Sequence, residues 1–130
     1  ETSGELIYYM FNDPALNTFD KTLMQEREGQ TPYRVIGTTR IAVERLERIL
    51  DEYLPREQAI DFMSVDVEGF DLQVLRSNDW NRYRPEFVMV EALDFRFKGA
   101  NEHPLHQFMT GIGYELVAKT LNTLFYREVR

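Results

Sequence analysis

Apolar residues in this chain fall into short runs and helical stripes that alternate along its length. Residues 60–65 form the clearest run, too short for a helix and rich in β-forming side chains. They predict a buried strand. Asp66, Val67, Glu68 and Gly69 follow at once, and Leu72, Val74 and Leu75 then recur at helical spacing. The spacing predicts a helix over 72–78, with Asp71 as its N-cap. A loop holding Asp79, Trp80 and Pro85 leads to a second apolar strand, 87–90, which ends in Glu91. Strand, helix and strand of these lengths make a parallel βαβ unit with a right-handed crossover.

The same reading extends to both ends. Residues 6–11 predict a short strand that Asn12, Asp13 and Pro14 close with turn chemistry. A helix begins at Lys21 and Gly29 ends it. Residues 33–43, rich in β-branched side chains, read as extended. Leu46, Ile49, Leu50 and Tyr53 then switch to helical period, and Pro55 stops that helix. Asn101 and Pro104 open a further helix that runs to Gly111 or Gly113. Strands at 114–118 and 124–129 are separated by a loop short enough for a hairpin, with Asn122 and Thr123 in its turn.

At 130 residues the chain is one domain, and 43% hydrophobic with 28% charged residues is the balance of a soluble globular protein. No apolar run reaches the length of a membrane helix and no signal segment opens the chain, so a cytoplasmic location is expected. The absence of cysteine excludes disulfides and thiolate metal sites, and with only His103 and His106 a histidine-rich centre is not expected, so any cation would be held by oxygen. The net charge of −7 argues against a nucleic-acid backbone as partner. A small molecule or neutral polar substrate fits better. The chain starts at Glu1 rather than methionine, which reads as a segment of a longer protein.

In open α/β sheets ligands bind outside the carboxyl ends of the strands, which places Asp66 and Glu68 at a crevice. Asp66, at the tip of the central strand, is the candidate base, and burial there would raise its pKa. Glu68 is placed to bond a substrate hydroxyl or to share a divalent cation with Asp66. The plainer reading is that both carboxylates bond N–H groups of the turn before the helix. Glu91 either faces the same crevice as a substrate contact or is a satisfied polar end. His103 is either a base or anion contact or an exposed first-turn residue. Gly69 permits a tight turn, and Trp80, with Tyr83 and Phe87 nearby, is read as core packing.

Several segments, taken in order, resemble one family. They are residues 11–19, the run 60–71 with Asp66-Val67-Glu68-Gly69, then Asn78-Asp79-Trp80, Arg84-Pro85 with strand 87–91, and the closing 113–123. They resemble the C-terminal portion of the FkbM family of S-adenosylmethionine-dependent methyltransferases. The resemblance implies a Rossmann-like α/β fold, with mostly parallel strands and a C-terminal antiparallel hairpin. It also implies methyl transfer from S-adenosylmethionine to a hydroxyl oxygen of a small molecule or carbohydrate. Asn17 and Thr18, in the family-like loop, are then candidates for the substrate side or members of an ordinary turn.

The glycine-rich turn that such enzymes use to approach the cofactor is absent from these residues: no G-x-G cluster follows a strand. No acidic residue for the ribose is identifiable either. The chain therefore reads as the second part of the domain without its main cofactor-binding segment, inactive by itself. A sheet edge left bare would favour a homodimer. Two other classes compete. One is a divalent-metal hydrolase or phosphotransferase in which Asp66, Glu68 and Glu91 hold Mg²⁺. The other is a non-catalytic module that dimerises through the sheet edge.

Overall fold

The computed structural model describes residues 4–29 and 32–129. Strands β1 (Gly4–Phe11) and β2 (Val35–Val43) pair antiparallel with each other as a ribbon of their own. Between them lie a 3₁₀ turn at Pro14–Leu16 and helix α1 (Lys21–Glu28). Asp20 caps α1 by accepting from the N–H groups of Thr22 and Leu23 at 2.7 and 3.0 Å. Helix α2 (Leu46–Tyr53) has no cap from its own N-terminal residue, Arg45. Ser77 serves instead: its hydroxyl and carbonyl oxygens accept from the N–H groups of Leu46 and Glu47.

The second half of the chain builds a four-stranded sheet. It contains β3 (Phe62–Val65), β4 (Phe87–Glu91), β5 (Tyr114–Lys119) and β6 (Thr123–Glu128) in the order β3-β4-β6-β5. Helix α3 (Asp71–Arg76) crosses over from β3 to β4, and these two strands pair in parallel, as the βαβ pattern requires. Helix α4 (Pro104–Gly111) leads into the β5–β6 hairpin.

The expectation of mostly parallel strands is not met, because β3–β4 is the only parallel pair among the described residues. The physical reason is connection length. Three residues join β5 to β6, which forces an antiparallel hairpin, and β6 then returns beside β4 antiparallel to it. The fold is thus a mixed α/β domain whose sheets are mostly antiparallel.

Register decides which face is buried. Met63, Val88 and Tyr126 lie in one row, Val65, Val90 and Leu124 in the next on the same face. This face packs against Leu75 of α3, Leu105 and Met109 of α4, and the loop residues Trp80 and Phe95. Trp80 is core, as expected, with its ring edge-on to Tyr114 and Phe108 and its N–H donating to the Leu75 carbonyl. On the other face stand Phe62, Phe87, Met89 and Phe125, and Phe62 is 62% exposed. Phe87 therefore does not join Trp80 in the core, and the hydroxyl of Tyr83 bonds Asp51 on the surface. No helix among the described residues is long and apolar enough to cross a membrane.

Candidate functional site

Strand β3 stops at Val65 because the chain turns left-handed two residues after Asp66. Glu68 has φ of 51° and Gly69 of 98°. Gly69 adopts that conformation freely, as a tight turn demands, whereas in Glu68 the Cβ crowds the backbone. Something must hold Glu68 there. Its carbonyl accepts the Thr18 hydroxyl at 2.9 Å, and its carboxylate accepts from the Arg27 guanidinium at 2.6 Å.

The same curl changes the role of Asp71. It is not the N-cap; that position belongs to Phe70, and Asp71 is the first residue of α3. Its carboxylate reaches back to accept the N–H groups of Val67 and Gly69, both at 3.2 Å, because the left-handed turn aims them at it. The turn's N–H groups are thus taken by Asp71, the task that the plainer reading gave to Asp66 and Glu68. Burial pushes the Asp71 carboxyl up from its ordinary value, against those N–H bonds, which pull it down.

Parallel pairing of β3 with β4 then brings the two strand tips side by side. Carboxylate oxygens of Asp66, Glu68 and Glu91 converge within 4.8 Å of one another. Glu68 and Glu91 line a cavity of about 520 Å³ that opens between α1, the β3 and β4 tips and the start of α4. Asp66 is exposed beside them and does not line it. Burial acts on Glu91. Desolvation first, then the charges of Asp66, Glu68 and Asp71, push the Glu91 carboxyl up, with Arg27 opposing.

Asp20, Glu26, Asp94 and His103 complete the polar wall, and Leu23, Leu72 and Leu93 the apolar one. His103 is neither exposed nor free: its side chain is 15% exposed and its Nε2 meets Asp94 at 3.1 Å. This contact holds the Asp94 carboxyl below its ordinary value. His103 Nδ1 is buried.

The two loop candidates do not line the cavity. Asn17 accepts the Phe11 N–H at 2.8 Å and closes the turn after β1. Thr18 is 1% exposed and acts on the Glu68 carbonyl from behind the cavity wall. His103 carries a sequence signal near a helix start, whereas Arg27, Asp20 and Asp94 are not marked for this site by the sequence. Asp20 had a signal, a capping residue directly before a helix. Arg27 had none, since 41 positions separate it from Glu68.

Fold and site together define an α/β domain with an acidic cavity at the carboxyl ends of adjacent parallel strands, the place where open α/β enzymes bind ligands. The methyltransferase FkbM domain matches residues 7–116, and the chain belongs to that family. Comparison with curated proteins and with solved structures finds no match.

Proposed function

We propose that this chain forms the acceptor side of an S-adenosylmethionine-dependent O-methyltransferase acting on a hydroxyl of a small molecule or carbohydrate. The observation that carries the reading is the convergence of the exposed Asp66 carboxylate with that of Glu91, which lines the cavity, in a chain of the FkbM methyltransferase family. When bound, S-adenosylmethionine supplies an electrophilic methyl group on a sulfonium cation. The acidic lining suits its charged end: Glu91 lines the cavity, and Arg27, the cation nearby, is already bonded to Glu68. No G-x-G cluster follows a strand in this sequence to give the nucleoside a glycine-rich approach. The adenosine half is accordingly assigned to residues outside this chain, in a larger Rossmann-like sheet continued at β3.

Within this reading, Glu91 bonds the acceptor hydroxyl and Asp66 takes its proton. The leucines of the wall exclude water around them. Calorimetric titration of S-adenosylmethionine and S-adenosylhomocysteine into this chain and into an N-terminally extended form tests the reading. Binding by the extended form alone is expected, together with transfer of labelled methyl to a polyhydroxylated acceptor. Absence of binding by both forms would overturn it.

A second reading has its own observation. Carboxylate oxygens of one coordination sphere lie at most about 4–5 Å apart for Mg²⁺ or Ca²⁺, and the three here fall in that range. A divalent cation held by Asp66, Glu68 and Glu91 would support a hydrolase or phosphotransferase. The same titration with Mg²⁺ separates the two, since saturation by Mg²⁺ without any response to S-adenosylhomocysteine favours the metal enzyme.

A further inference from the structure

We infer that Arg27, together with Thr18, is a positioning residue for the carboxylate cluster: the pair holds Glu68 in its left-handed turn and occupies its carboxylate, leaving Asp66 and Glu91 to face the acceptor. The inference rests on the cavity being the working site proposed above.

Three converging carboxylates repel one another, and no role can be shared among them while each is free to move. Arg27 removes that freedom from one. Its Nη2 donates to Glu68 at 2.6 Å and its Nη1 to the Leu16 carbonyl at 2.8 Å. A guanidinium fixed at both ends cannot swing to Asp66 or Glu91, and the planar fork suits this double duty better than a flexible ammonium. The Arg27 side chain is only 15% exposed, so solvent screens the pair weakly.

Thr18 acts on the backbone of the same residue. Its hydroxyl donates to the Glu68 carbonyl and accepts the Asp20 N–H at 3.0 Å, linking the turn after β3 to the N-cap of α1. Side chain and backbone of Glu68 are thus gripped independently by one segment, residues 16–27. The left-handed φ of 51° at Glu68 is uncommon for a non-glycine residue, and both of these bonds act on it. With its Oε2 bonded to Arg27, Glu68 closes the cavity wall rather than exchanging protons with an acceptor.

The test compares Arg27→Met, Arg27→Lys and Glu68→Gln with the unaltered protein. In this chain, the NMR coupling between the amide and α protons of residue 68 reports its φ. Arg27→Met is expected to move that coupling toward extended values, and Arg27→Lys to restore it in part. In the extended, active form, Arg27→Met is expected to lower kcat about tenfold to a hundredfold, as misplaced groups do, with KM for S-adenosylmethionine nearly unchanged. Glu68→Gln keeps the shape and removes the charge, so it reproduces the effect even where Arg27→Met does not fold. An unchanged coupling in both Arg27→Met and Glu68→Gln overturns the inference, as does equal loss in the Lys and Met variants. The NMR arm needs no methyl transfer, so failure of the methyltransferase reading and failure of this one are told apart.

Discussion

The hydroxyl of Thr18 donates to the carbonyl of Glu68 across 50 positions of sequence, tying the end of the β1 loop to the tip of β3. Thr18→Val keeps the volume and removes the donor, leaving a part-buried carbonyl unpaired. It is expected to destabilise the fold by about 1–3 kcal/mol. Thr18→Ser is expected to stay close to the unaltered protein. Urea unfolding of the two variants checks this, and equal stability would show that the bond contributes nothing.

Gly69→Ala tests the turn itself. A Cβ built there would meet Leu23 Cδ2 at 3.6 Å, ordinary contact, so space is not the obstacle. The cost comes from φ of 98°, which an L side chain resists, and about 1–2 kcal/mol is expected. Thermal unfolding measures it. A loss far above that range would mean that the neighbours, not the backbone, set the constraint.

Asp66→Asn keeps the shape of the proposed base and removes its capacity to take a proton. In the extended form, methyl transfer is expected to fall about 10²–10⁴-fold. Binding of S-adenosylhomocysteine is expected to persist. Retained turnover would transfer the role to Glu91.

His106 makes stability pH-dependent. Burial, with some help from His103, holds its pKa below the ordinary histidine value, and its Nδ1 meets the Tyr126 hydroxyl at 2.9 Å. Burial also raises the pKa of the Tyr126 phenol. The neutral ring is thus favoured in the folded state, whereas the unfolded chain protonates at the ordinary value. This contribution is fully present above the unfolded histidine pKa, and falls away as pH drops through the lower folded one. Calorimetric melting between pH 7.5 and 5.5, windows set by about the ordinary histidine pKa, is expected to show a downward slope that His106→Gln flattens. Identical slopes would remove His106 from the account.

The face of the sheet opposite the core carries Phe62, Phe87, Met89 and Phe125, and β3 is an edge strand. Such a surface favours association. Sedimentation velocity is expected to show this chain self-associating, and Phe62→Lys to shift it toward monomer, since a charge on an edge strand blocks pairing. A monomeric unaltered chain would leave the edge without a role in assembly.

Much of this domain is legible in the sequence. The tips of β3 and β4 were marked by apolar runs that end in Asp66 and Glu91, because a buried strand leaves a local pattern and its polar end a local break. Helix α4 showed its start in Pro104, and the hairpin its turn near Asn122, for the same reason: the forces that set these features act over a few residues. Family membership was legible too, since the signature runs are contiguous segments.

What the tertiary structure alone decided lies between segments. Pairing of β1 with β2, the capping of α2 by Ser77 and the hold of Arg27 on Glu68 join residues 20 or more positions apart. No periodicity encodes a partner at such distance. Asp71 shows the limit most clearly: an acid before a helix reads as a cap, yet the left-handed turn at Glu68 and Gly69 redirects it backward to Val67 and Gly69. That turn exists because distant side chains hold it. Local chemistry wrote the carboxylates at the strand tips into the sequence, and long-range packing determined which of them is bound and which stand open.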